Sequence, residues 1–124
     1  MGFQLFAIKS EEGQLPGLGW LDCEVVRFNF NHFTEKLKVP HMGWNKIVLK
    51  KKSRLIENIF DNSRYYFVHS YHQVLSNKND ILATTHYGNE FVSAIEKNNI
   101  YGVQFHPEKS HKYGMKILEN FAKI

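Results

Sequence analysis

The last third of the chain sets the tightest limit on what it can fold into. Ile81 to Tyr87, Glu90 to Ile95 and Ile100 to Phe105 are runs rich in β-branched and aromatic residues, separated by Gly88-Asn89 and by Lys97-Asn98-Asn99. Connections this short, with glycine or asparagine to accept positive φ, join antiparallel neighbours. A three-stranded meander is therefore predicted. Ser110 follows as an N-cap, and Ile117, Leu118, Phe121 and Ile124 recur at helical spacing, so an amphipathic helix closes the chain.

Upstream the signals are weaker. Phe3 and Phe6 with Leu5 or Ala7 make a helical stripe, but no capping residue precedes them and an α-amino group would sit at the positive end of the dipole. The first element is expected to begin before Met1. Ser10 to Gly19 is a turn-rich connection into a strand over Glu24 to Phe28. A second extended region is predicted from Trp44 to Leu49, and Ser53 would cap a short helix over Arg54 to Phe60. Tyr65 to Val68 reads as a buried strand ending at His69-Ser70-Tyr71. No repeat, low-complexity tract or second-domain boundary interrupts this order, so 1–124 is expected to belong to one domain.

Composition narrows the function classes. With 43% apolar and 15% aromatic residues, 124 residues can fill a core. No run approaches the roughly 18 apolar residues of a membrane span, and the basic-then-apolar order of a leader is absent, so a cytoplasmic chain without membrane contact is expected. A single cysteine, Cys23, rules out an internal disulfide. The net charge of +4 concentrates at Lys50-Lys51-Lys52-Ser53-Arg54, yet no aromatics are interleaved there to stack on bases, so no nucleic-acid partner is expected. Among seven histidines, His69 and His72 are three apart, but in strand and turn, and no ligand motif accompanies them. No metal and no cofactor are expected.

Three stretches carry chemistry. In Val103-Gln104-Phe105-His106-Pro107-Glu108-Lys109-Ser110, an extended backbone would put His106 and Glu108 on one side, roughly 6 to 7 Å apart. That suits a base and the carboxylate that orients it. Taken alone, the tripeptide more often marks an ordinary strand end with a polar surface pair. Pro40-His41-Met42-Gly43-Trp44-Asn45 offers apolar area with a polar handle, either as a partner surface or as a loop whose Trp44 folds into the core. Phe67-Val68-His69-Ser70-Tyr71-His72 presents a hydroxyl, a phenol and two imidazoles where strand ends bind ligands, or else simply closes a strand. Cys23 has no glycine elbow or adjacent cation and reads as a packed thiol.

These stretches occur in a telling order. Ser10-Glu11-Glu12-Gly13 and Gly17-Leu18-Gly19-Trp20 are followed by Pro40 to Asn45, Tyr66 to Tyr71, Tyr87-Gly88 and Gly102 to Ser110. Over essentially all 124 residues the chain resembles the glutaminase subunits of imidazole glycerol phosphate synthases, which are class I, triad-type glutamine amidotransferases. The resemblance implies an α/β fold, a flavodoxin-like open mixed sheet with flanking helices, of which this chain would supply the C-terminal part and lack N-terminal strands. It implies a Cys-His-Glu triad with His106 and Glu108 as its second and third members. Met1-Gly2-Phe3-Gln4 matches the family's elbow from the position just after the cysteine, so the nucleophile would stand immediately before Met1. By the same matching, Gln4, Ser70 and Tyr71 would contact L-glutamine. Pro40, Met42, Trp44 and Lys109 would dock a (β/α)8-barrel synthase subunit that receives the ammonia. His111 departs from the glutamine common in the histidine-pathway subunit. Paralogues that feed ammonia to sugar-amidating enzymes share the pattern, and a non-catalytic module that only binds the barrel subunit is the other alternative.

Overall fold

The computed structural model describes residues 9–10, 17–19, 23–29, 37–60 and 62–124. The expected first helix and Gln4 lie outside them. The described strands assort into three hydrogen-bonded sheets, ordered β1-β2-β6, β3-β5 and β4-β7-β8-β9, with one α-helix among the described residues. Pairing is mixed: β1 (Lys9–Ser10) runs parallel to β2 (Cys23–Arg27), and the other pairs among the described residues are antiparallel.

The meander stands as expected. β7 (Ile81–Tyr87), β8 (Asn89–Lys97) and β9 (Ile100–Val103) pair in sequence, with Gly88 at φ +74° and Asn98 at φ +55° in the connections. Phe91 to Ile95 are buried without alternation, which is the burial of a strand covered on both faces. The extended region near Trp44 begins earlier than predicted, as β3 (His41–Asn45), and resumes briefly as β4 (Val48–Leu49). Gly43 sits within β3 at φ +126°, a conformation that strains any side-chain-bearing residue.

Ser53 caps as expected, its hydroxyl accepting the Leu55 N–H at 3.1 Å, but the helix stops after one 3-10 turn, Arg54–Ile56, and Asn58 turns to φ +56°. The basic stretch beside it points partly inward. Lys51 donates to the Asn79 and Glu96 carbonyls at 2.7 and 2.8 Å, and Lys50 pairs with Glu90 at 3.6 Å.

β5 (Tyr65–His69) buries only alternate residues, Tyr65, Phe67 and His69, because its other face is half covered. At Ser70 the chain bends and enters β6 (Tyr71–Leu75), which pairs with β2 in a different sheet. The principal core joins Phe28, Leu55, Tyr65, Phe67, Leu82, Phe91, Phe105 and Ile117, and a second cluster holds Cys23, Val25, Val92 and Ile95.

The closing helix α1 (His111–Ala122) forms as expected and buries Ile117 of the expected stripe, but its inward face is rotated away from the rest of that stripe. Gly114, Ile117 and Asn120 are buried, whereas Leu118, Phe121 and Ile124 are exposed. Polar satisfaction decides the rotation: Asn120 donates to the Leu55 and Glu57 carbonyls at 3.0 and 2.8 Å, closing the end of the 3-10 turn.

Candidate active site

β9 ends at Val103, but the chain stays tied to the sheets. Gln104 N–H donates to the Ser93 carbonyl at 2.8 Å and His106 N–H to the Tyr66 carbonyl at 2.9 Å. His106 is thus fixed through its backbone to β5. Pro107–Lys109 then form a 3-10 turn rather than the extended segment expected, with proline at the start where no N–H is needed. The tighter turn replaces a separation of roughly 6 to 7 Å with a direct contact, His106 Nδ1 to Glu108 Oε1 at 3.0 Å.

A carboxylate accepts only, so Nδ1 carries the proton and Nε2 is left as the basic nitrogen. Glu108 is held below the usual carboxylate range, first by a backbone N–H at its own residue and then by the His106 ring. The pair is open to solvent, with side-chain exposures of 36% for His106 and 61% for Glu108. An approaching group can therefore reach it.

Two residues hold this turn in place. Ser110, fully buried, donates its hydroxyl to the His106 carbonyl at 2.6 Å and accepts the Tyr66 N–H at 3.0 Å. It stands at the expected N-cap position but gives no side-chain bond to the helix. Its hydroxyl instead clasps the turn to β5. Gly114, one turn into α1, packs directly on Pro107: a Cβ there would overlap the carbonyl oxygen and lie 2.6 Å from the carbonyl carbon. The role of Ser110 is not visible in the sequence, where it reads as an ordinary N-cap; Gly114 does carry a signal, since a glycine inside a helix is costly unless close packing requires it.

Ser70 and Tyr71 occupy the bend between β5 and β6. The Ser70 carbonyl accepts the Phe28 N–H at 3.1 Å, and the Arg27 guanidinium lies 6.0 Å over the Tyr71 ring. On β3, Met42 and Trp44 face outward at 62% and 44% exposure, so Trp44 does not fold into the core, and Pro40 just before the strand is also exposed. Trp44 stacks on His111 with ring centroids 5.5 Å apart and planes 8° from parallel, and meets Tyr66 edge-on at 6.1 Å. Lys109, exposed, sits in the same turn as Glu108, two residues before His111. The His106–Glu108 turn and the outward face of β3 are therefore neighbours, joined by the Trp44–His111 stack.

Cys23 is 1% exposed within the second apolar cluster, apart from the core that His106 borders. Among the described residues no group of three His, Cys, Asp or Glu is placed to hold a metal ion, and no helix is long and apolar enough to cross a membrane.

Comparison with known proteins places this architecture. The chain is 53% identical over 123 residues to the imidazole glycerol phosphate synthase subunit HisH 2 of Methanococcus maripaludis, covering 99% of this chain and 59% of that protein. It is 44% identical over 124 residues to the HisH 2 subunit of Pseudomonas aeruginosa, covering all of this chain and 60% of that one. The chain thus spans about three fifths of the length of the curated relatives it matches. The crystal structure of a putative GMP synthase protein from Thermoplasma acidophilum superposes with a TM-score of 0.60 at 21% identity, over 82% of this chain and 47% of that one, a likeness of fold. The model of the class-I glutamine amidotransferase family matches residues 1–124. Fold and sequence agree, and the chain belongs to the class I glutamine amidotransferases.

Proposed function

We propose that this chain carries the base and orienting acid of a glutaminase, part of the ammonia-supplying subunit of an imidazole glycerol phosphate synthase. The observation that carries the reading is the 3.0 Å His106 Nδ1–Glu108 Oε1 contact, which leaves Nε2 as the base of a partly exposed ring in the turn that neighbours Trp44. The nucleophile in this reading is the family's elbow cysteine and not Cys23, which is buried in the other cluster.

His106 Nε2 takes the thiol proton, and the thiolate attacks the carboxamide carbon of glutamine. Glu108 holds the ring in the required tautomer and stabilises the imidazolium that forms. The C–N bond breaks as the imidazolium returns its proton to the leaving nitrogen, releasing ammonia and a glutamyl thioester; water, activated by the same imidazole, then frees glutamate. Ser70 and Tyr71 contact the bound glutamine. Pro40, Met42, Trp44 and Lys109 dock the barrel subunit, an exposed tryptophan being a residue type that anchors interfaces. The relatives' subunit names support a synthase partner over a sugar-amidating one.

The test is glutamate release by the full-length protein mixed with its barrel subunit. Turnover that rises on mixing and falls by at least a hundredfold in His106→Asn supports the reading. A full-length complex without turnover, or a His106→Asn variant at parental rate, overturns it.

A further inference from the structure

Across β3 and β5, His41 stands directly opposite His69, and both rings are buried, at 3% and 7% exposure. His41 Nδ1 lies 3.0 Å from His69 Nε2. Two touching imidazole nitrogens share one proton, and the surroundings decide which ring gives it. His69 Nδ1 is 2.8 Å from the Tyr71 carbonyl oxygen, which only accepts, so Nδ1 carries hydrogen and Nε2 of the neutral ring is bare. His41 Nδ1 must therefore donate to it. That leaves His41 Nε2 as an acceptor, 3.3 Å from Asn45 Nδ2.

The Asn45 amide is itself oriented, because Nδ2 donates to the His86 carbonyl at 3.0 Å and Oδ1 accepts the Lys46 N–H at 2.8 Å. The hydrogen bonds run one way, from Asn45 through His41 and His69 to Tyr71, and all four ring nitrogens are used. Stacking fixes the first ring: His41 lies 4.1 Å from Tyr87 and 4.9 Å from Phe67, within 26° of parallel to each. Burial pushes both imidazoles down to about 4, so the pair stays neutral near pH 7, as a one-way chain requires.

Two buried imidazoles are a costly filling for a core unless their hydrogen bonds do something hydrocarbon cannot. What they reach is the bend where the chain leaves one sheet for another. Phe28 N–H holds the Ser70 carbonyl, and His69 holds the next one, at Tyr71. The other end of the chain of bonds lies on β3, whose alternate residues Met42 and Trp44 face outward.

We infer that His41 and His69, keyed by Asn45, are positioning residues that hold the Ser70–Tyr71 backbone in its glutamine-contacting register and tie that register to the docking strand β3. The inference rests on the glutaminase reading and names how partner binding at β3 is felt at the substrate. It is tested in the full-length protein, with and without its barrel subunit. His41→Phe keeps the ring's volume and stacking but removes the donor to His69; His41→Asn keeps a donor where Nδ1 stands. In His41→Phe the KM for glutamine rises roughly tenfold, the cost of one lost buried hydrogen bond, and stimulation by the barrel subunit shrinks; His41→Asn restores both.

A folded His41→Phe protein with KM and stimulation within twofold of the parent overturns the inference, as does a His41→Asn variant equally impaired. Parental turnover in these assays keeps the glutaminase reading standing whatever the variants do; its absence removes both. Should His41→Phe fail to fold, nitrogen-15 NMR of histidine-labelled parent protein decides: both rings must be Nδ1–H tautomers, and an Nε2–H signal for either overturns the inference.

Discussion

Replacing Gly114 with alanine tests the proposed site and the stability of the helix separately. In an exposed helix interior this change is favourable by about 1 kcal/mol, because alanine loses less backbone entropy. Here the new Cβ would overlap the Pro107 carbonyl oxygen and stand 2.6 Å from its carbon and 2.9 Å from its Cα, all backbone atoms. To restore an ordinary carbon separation of about 3.5 to 4.0 Å from that carbon, α1 and the Pro107 turn must part by at least about 1 Å, and the closer oxygen demands more. Overpacking of this kind costs about 1–3 kcal/mol, so after the helical gain the net loss of stability is about 0–2 kcal/mol. The effect on chemistry is larger. The displaced turn carries both His106 and Glu108, and a misplacement of about 1 Å can lower turnover on the order of a hundredfold. The assay pairs thermal unfolding with glutamate release, using the full-length complex and Met115→Ala, on the exposed side of the same helix, as control. An alanine variant that is stabilised and fully active would refute the packing argument, since that is what an uncontacted helical glycine gives.

Two further outcomes follow from buried groups. Ser110→Ala removes a hydroxyl that satisfies the Tyr66 N–H and the His106 carbonyl at once, and should cost about 1–3 kcal/mol in denaturant unfolding while Ser110→Thr retains part of it; an unchanged midpoint for alanine argues against the clasp. His41 and His69 are held near 4 in the folded state against about 6.5 unfolded, so the unfolded chain takes up protons first as pH falls. Their contribution is fully present above pH 6.5 and is lost toward pH 4, at a slope approaching about 1.4 kcal/mol per pH unit for each ring. Stability that stays flat between pH 6.5 and 5 would show that the pair is not buried and neutral.

What the sequence makes legible is local. The β7–β8–β9 meander can be read because its turns and its strand periodicity lie within a few residues of one another, and the Ser53 cap for the same reason. The nearness of His106 to Glu108 is legible, but its geometry is not. The stretch reads as extended backbone, whereas the fixed φ and missing N–H of Pro107 serve equally well to start a 3-10 turn, and only the turn brings the two side chains into contact. The helix face is misjudged from apolar spacing because that spacing ignores Asn120, whose amide is needed to close two carbonyls contributed by a segment more than sixty residues earlier.

The clasp at Ser110 and the histidine pair are unreadable for a stricter reason. Each joins segments far apart in the sequence that only the assembled fold brings together, strand to strand for His41 and His69 across 28 residues and helix cap to strand for Ser110 and Tyr66 across 44. Strand alternation nevertheless links the two faces of β3. Side chains reverse direction at each residue, so a strand that turns Met42 and Trp44 outward must turn His41, Gly43 and Asn45 inward, and a slip of one residue would exchange the sets. The register that exposes the tryptophan is therefore the same register that sets His41 against His69. A variant that shifts β3 should lose the Trp44–His111 stack and the imidazole contact together.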